Sequence, residues 1–248
     1  MAQLTAMIKK ILLTLVGVII FSIVGVSIWM SIPFAYQQET TTASLQSNNL
    51  VTVKQGKFIE FIPAADTSIG LIFYPGGKTS AETFAPLMQE FAKQGVYSAI
   101  TPMPLKTAFL GINKADDVIA ANPRIKHWYI AGHSLGGVAA AEYIKANANK
   151  LAGMLLWASY PGSDISAVNL PVLSIYADKD LQSTPAKIAQ YKTLLATTTD
   201  YVVISNGNHW QFGHYLDELN QQQGLITRDE QQQQVLEQSL LFINNNIQ

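Results

Sequence analysis

The 248-residue chain has no cysteine. That excludes disulfides, a thiol nucleophile, a thiolate zinc site and a lipidated cysteine, and it is compatible with a place outside the cytoplasm. Charge is sparse as well: charged residues make up 13 % of the chain, the net charge is −1, and no basic stripe occurs. This argues against nucleic acid as a partner. The histidines are four, His127, His133, His209 and His214, so imidazole chemistry has few candidates. No internal repeat is visible. The length suits one α/β domain with a real core, and is too short for two once the first ~40 residues are set aside.

Residues 11–36 contain no charged side chain. As a helix they would span about 39 Å, against a hydrocarbon core of about 30 Å. Lys9 and Lys10 precede this run and the next positive residue is Lys54, a bias that puts the N-terminus in the cytoplasm and the rest of the chain outside. Residues 1–36 are therefore expected to be a membrane anchor. The alternative is a cleaved secretory signal that releases the rest, but such signals have apolar cores of about 7–15 residues and a small-x-small site. No A-x-A site is present near residues 30–40. Residues 37–49, rich in Thr, Ser, Gln and Asn, read as a polar linker, which leaves 50–248 as the folded domain.

In that domain short apolar runs alternate with helical patterns. Residues 50–53 and 58–62 form a hairpin joined at Gln55-Gly56, and strands follow at 69–74, 96–100, 128–131, 153–158, 172–176 and 201–204. Helices are expected after Pro86, around 114–121, from 137 onward and at 185–195. The C-terminal helix opens on Thr227-x-x-Glu230, a capping-box pattern, with Val235, Leu236, Leu240 and Ile243 on one face. The Gln runs at 221–223 and 231–234 are short, and the second reads as a solvated helix face. The fold class is α/β, a mostly parallel central sheet with helices on both faces.

The motif that carries chemistry is Gly132-His133-Ser134-Leu135-Gly136, set between the run Trp128-Tyr129-Ile130-Ala131 and a small-residue helix. A G-x-S-x-G at a strand-to-helix turn is a nucleophile elbow, in which the glycines permit close packing and the serine is lifted off the sheet. The helix N-terminus then points its N–H groups at whatever bonds to that oxygen. A serine hydroxyl needs an imidazole to take its proton and a carboxylate to orient the imidazole. With the order Ser, acid, His, His209 in Ser205-Asn206-Gly207-Asn208-His209 follows the last strand and is the candidate base, ahead of His214. Asp178 and Asp180 both follow the strand that ends near Ala177. Ala177-x-x-Asp180 fits the usual G-x-x-D with alanine for glycine, which favours Asp180; Asp164 is a more distant candidate. Oxyanion donors are expected from the backbone N–H of Leu135 and of Gly77, in Tyr74-Pro75-Gly76-Gly77-Lys78, with Lys78 as the alternative. Trp157, Tyr160, Trp210 and Phe212 are candidates for a substrate pocket or for packing. The short stretch between Ala158 and Pro171 has no room for a large helical lid, so the site is expected to be open.

Through Phe73-Tyr74-Pro75-Gly76-Gly77-Lys78, Gly132-His133-Ser134-Leu135-Gly136-Gly137 and Asn208-His209-Trp210-Gln211-Phe212-Gly213, residues 50–246 resemble the alpha/beta-hydrolase superfamily. Within it they resemble a small, lidless bacterial group related to the dienelactone-hydrolase branch. The resemblance implies a Ser-His-Asp triad with no metal and no organic cofactor. Serine stands where dienelactone hydrolases carry cysteine, which argues against that activity. The expectation is a serine hydrolase acting on small-molecule carboxylic esters through an acyl-enzyme. The same constellation also runs acyl transfer and amide hydrolysis, and a catalytically silent surface scaffold is the reading from another class.

Overall fold

The computed structural model describes residues 2–216 and 226–247; the Gln run at 221–223 lies outside them. The chain order is α1 (Ala2–Ser31), α2 (Gln38–Ser44), β1 (Val51–Gln55), β2 (Ile59–Pro63), β3 (Ile69–Tyr74), α3 (Ala85–Lys93), β4 (Tyr97–Ile100), α4 (Lys114–Ala121), β5 (His127–His133), α5 (Leu135–Asn147), β6 (Gly153–Trp157), β7 (Val172–Ala177), α6 (Pro185–Tyr191), β8 (Asp200–Ile204) and α7 (Arg228–Asn245). The strands form one eight-stranded sheet in the order β1-β2-β4-β3-β5-β6-β7-β8. Only β2 runs against its neighbours, β1 and β4; every other pairing is parallel.

The central strands are apolar at nearly every position because both faces are covered. Successive side chains point to opposite sides, so Leu71, Phe73, Tyr129, Ala131, Leu155 and Trp157 pack on one side with Met88, Phe91 and Ile243 of α3 and α7. Ile72, Tyr74, Trp128, Ile130, Met154 and Leu156 pack on the other with Val118 of α4 and the small face Ala139-Ala140-Ala141 of α5. Helix α3 carries Pro86 in its first turn and is followed by Gly95 at φ +85°, a left-handed stop that glycine adopts without steric cost. Helix α7 begins with the full capping box: Thr227 Oγ1 accepts from the Glu230 N–H, and the Glu230 carboxylate accepts from the Thr227 N–H.

Helix α1 stands apart from this core. Its window of highest hydropathy is entirely unburied, and by length and composition it is apolar enough to cross a membrane. The charge-free run does not continue as one helix to Tyr36, however. Proline removes an N–H donor and disfavours helical geometry in the residue before it, and α1 ends at Ser31, just ahead of Pro33. Residues 34–37 then run extended along the domain: the Phe34 N–H donates to the Lys78 carbonyl (2.7 Å), the Leu216 N–H to Ala35 (3.0 Å) and the Gln37 N–H to His214 (2.8 Å). Beyond them, the polar segment expected as a linker forms α2, which packs on α3. Thr41 is buried there, and the Gln89 amide donates to the carbonyls of Ser44 and Gln46.

The second Gln run is not a solvated face. Gln231 and Gln232 are buried, because they share with Val235, Leu236, Ser239 and Ile243 the side of α7 that turns to the sheet. Only Gln233 faces fully outward.

Candidate active site

Strand β5 delivers Ser134 into the turn that starts α5. Its backbone lies at φ 52°, ψ −124°, an unfavourable conformation for a residue with a Cβ. The turn is locked by its neighbours: the Ser134 N–H donates to the Trp157 carbonyl (3.0 Å), and Ser159 Oγ donates to the Ser134 carbonyl (2.6 Å). The flanking glycines answer to contact rather than to backbone angle. A Cβ on Gly136 would overlap the Tyr74 carbonyl, and one on Gly132 would overlap the backbone of Gly136 and Gly137. Side chains at either place would force β3, β5 and α5 apart.

Asp180 lies three residues past β7 and is almost wholly buried. Its Oδ1 accepts from the N–H groups of Gln182 and Ser183, both at 2.7 Å, and its Oδ2 lies 2.7 Å from His209 Nδ1. A carboxylate oxygen can only accept, so Nδ1 of His209 carries a proton, and in the neutral ring the lone pair is then on Nε2. Asp178 turns elsewhere and accepts from the Asn206 N–H. Asp164 is exposed and accepts from Ser166. His214 is held between Gln37 and Gln232. Of the candidate acids and bases, the structure therefore joins Asp180 to His209.

Ser134 and His209 line one narrow cavity of about 20 Å3, together with Gly76, Gly77, Thr79, Phe34, Trp210 and Tyr215. That is room for about one water-sized group. Ser134 also lines a groove of about 470 Å3 with Leu135, Val138, Tyr160, Leu181 and Lys187. Larger cavities of about 980 and 740 Å3 lie at the other end of the strands, around Val172 and Tyr201 and around Ser68 and Ile125. Ligands of open parallel sheets sit outside the carboxyl ends of the strands, where Ser134, Asp180 and His209 are.

Gly77 and Leu135 adjoin each other: a Cβ on Gly77 would stand 3.1 Å from Leu135 Cδ2. Among the described residues no acceptor takes the N–H of Gly77, and Leu135 heads its helix, where N–H groups lack intrahelical partners. The N–H of Lys78, the alternative donor, is spent on the Lys106 carbonyl at 2.8 Å.

Several supporting residues carry no sequence signal strong enough to find them. Asn208, fully buried, caps the turn after His209: its Oδ1 accepts from the N–H groups of Trp210 and Gln211. Its own backbone is held by Gln231. His133, the variable residue of the elbow, is buried with its ring centroid 4.6 Å from that of His209, and its Nε2 lies 3.2 Å from the His209 carbonyl. A carbonyl accepts, so Nε2 donates and Nδ1 is the unprotonated atom. Burial, reinforced by the neighbouring His209, holds the His133 pKa well below the ordinary 6.5.

The pocket candidates divide. Trp157 and Phe212 are core residues, whereas Tyr160 borders the groove and Trp210 the cavity. The 159–171 stretch carries no helix, so no helical lid arises there. The site is nonetheless roofed on one side by Phe34, whose ring meets Trp210 edge-on at 5.2 Å.

No curated protein matches the chain in sequence. Among solved structures it is similar in fold to Est1E from Butyrivibrio proteoclasticus, at 11 % identity and a TM-score of 0.58 over 78 % of this chain and 99 % of that one. It is also similar to the carboxylesterase CesB from Bacillus subtilis, at 11 % identity and a TM-score of 0.56 over 74 % and 93 %. The family model of the alpha/beta hydrolases matches residues 70–233, from β3 through the elbow and the loops of Asp180 and His209 into α7, and the chain belongs to the alpha/beta hydrolase family.

Proposed function

We propose that the protein is a serine hydrolase of carboxylic esters. The observation that carries this reading is the 2.7 Å contact between His209 Nδ1 and Asp180 Oδ2, beside a cavity that His209 shares with the elbow serine. Ser134 Oγ attacks the ester carbonyl while His209 Nε2 takes its proton, and Asp180 stabilises the imidazolium. Negative charge develops on the carbonyl oxygen, and the N–H groups of Gly77 and Leu135 receive it. Such a donor is worth about 3–4 kcal/mol in the transition state. His209 returns the proton to the departing alkoxide, leaving an acyl ester on Ser134. It then deprotonates a water that attacks the acyl carbon, and the acid and free Ser134 result.

Helix α1 is taken as a membrane anchor. Lys9 and Lys10 lie at its N-terminal side and the next cation is Lys54, so the domain faces outside the cytoplasm. A fluorophosphonate probe tests the chemistry: the full chain is expected to label and Ser134→Ala to remain unlabelled. A folded wild-type chain that resists the probe would favour a silent scaffold. Protease access from outside intact cells tests topology, and recovery of a soluble chain shortened by ~30 residues would indicate signal cleavage instead.

A further inference from the structure

The end of α1 and the mouth of the site are almost the same place. From Ile11 to Ser31 the helix is uncharged, a length of about 31 Å that matches a hydrocarbon core of about 30 Å. With Lys9 and Lys10 at one surface, Ser31 sits at the other, and Trp29 falls in the interfacial layer that indole rings favour. Phe34, which lines the cavity of Ser134 and His209, follows three residues later, a reach of about 10 Å. There is no spacer: the backbone of Phe34 is bonded to Lys78, and the Lys78 ammonium lies 3.9 Å from the centroid of the Trp29 ring. Helix α1 also touches residues 104–106 of the domain.

The loops on this side expose large apolar side chains to water. Ile32, Phe109, Leu110 and Leu181 are between 43 % and 67 % exposed, and Leu181 borders the groove of Ser134. Phe109 and Leu110 lie three and four residues past the segment that α1 touches. Among them stand Lys106 and Lys187, suited to phosphate headgroups. Apolar side chains with flanking cations, on the side of the domain that holds the catalytic groove and meets the end of a membrane helix, fit a lipid surface.

We propose that the domain rests on the bilayer with its catalytic groove at headgroup level, and that its substrates are acyl esters resident in the membrane rather than dissolved in water. This deepens the reading above, resting on Ser134 as nucleophile and on α1 as a span. The ester carbonyl of an amphiphile anchored by its acyl chain lies near the headgroup layer, so a groove at that height receives it without extraction into water. Hydrolysis releases a fatty acid and the headgroup alcohol.

The test uses the full chain reconstituted in phosphatidylcholine/phosphatidylglycerol vesicles. Because the protein has no cysteine, Leu110→Cys and Arg124→Cys each place one environment-sensitive dye, the second at the opposite end of the strands. Brominated lipids are expected to quench the dye at 110 at least twofold and to leave that at 124 unchanged; equal quenching at both would overturn the placement. Turnover of a long-chain umbelliferyl ester dissolved in the vesicles is then compared with that of water-soluble p-nitrophenyl acetate. The double variant Phe109→Asp/Leu110→Asp should lose at least tenfold on the first and less than twofold on the second. Equal effects on both esters, or on neither, would overturn the substrate proposal. No turnover of either ester by the wild type, with position 110 quenched, would overturn the esterase reading while supporting the surface placement.

Discussion

Gln231 holds the backbone of Asn208 at two points: its Oε1 accepts from the Asn208 N–H at 2.9 Å and its Nε2 donates to the Asn208 carbonyl at 2.8 Å. Asn208 precedes His209, so helix α7 sets where the imidazole can stand. Replacing Gln231 by Leu, similar in size, removes both of these hydrogen bonds from buried backbone groups, at about 1–3 kcal/mol each. The expected result is a lower urea midpoint together with a fall in kcat that exceeds any rise in KM, because the substrate's own contacts are untouched.

The strap at residues 34–37 contributes to the domain as well as joining it to α1. A soluble chain that begins at Gln38 lacks the Phe34 contact with Trp210 and three backbone hydrogen bonds, to Lys78, from Leu216 and to His214. At about 1 kcal/mol per bond, it should be about 3 kcal/mol less stable than a chain beginning at Ile32, as measured by thermal and urea unfolding of the two.

Gly136 is expected to tolerate no side chain. Alanine would overlap the Tyr74 carbonyl, a backbone atom with no rotamer to change, and overpacking of this kind costs about 1–3 kcal/mol or more. Loss of soluble yield or a fall in melting temperature would show it, whereas Gly56→Ala, with open space around it, should be close to neutral.

His133 makes stability depend on pH. Its pKa is held low in the folded protein by burial and returns to about 6.5 on unfolding. The unfolded chain therefore binds the extra proton as pH falls below about 6.5, and folding stability declines on the acid side. By pH 5 this one group accounts for a loss of up to about 2 kcal/mol relative to neutral pH. His133→Gln should flatten that decline; denaturant titrations at pH 5 and 7.5 compare the two chains.

Much of the fold was legible because it rests on local signals. The apolar run at residues 69–74 is a strand buried on both faces, and the cap at Thr227 and Glu230 marks the start of a helix. The elbow shows itself because its glycines are forced by contacts only a few residues apart or across one strand. The pairing of His209 with Asp180 follows from position, since each lies in the loop after a neighbouring parallel strand. What the sequence could not display depends on docking. Gln231 reads as solvated because its polarity is visible and its face on α7 is not. Phe34 reads as part of a membrane segment, because the extended backbone of Phe34 and Ala35 is set by Pro33 and by partners more than 40 and about 180 residues away in sequence, Lys78 for Phe34 and Leu216 for Ala35.

In the proposed mechanism His209, oriented by Asp180, activates Ser134. The most direct measurement is hydrolysis of p-nitrophenyl esters from acetate to long acyl chains by the full chain in detergent, beside Ser134→Ala, His209→Ala and Asp180→Asn. Wild-type turnover with a definable acyl preference is expected, with essentially none in the first two variants and a loss of about 10³–10⁴-fold in kcat for Asp180→Asn, which leaves the imidazole in the wrong tautomer. Asp180→Asn turning over at the wild-type rate, or Ser134→Ala retaining activity in a folded chain, would contradict that mechanism.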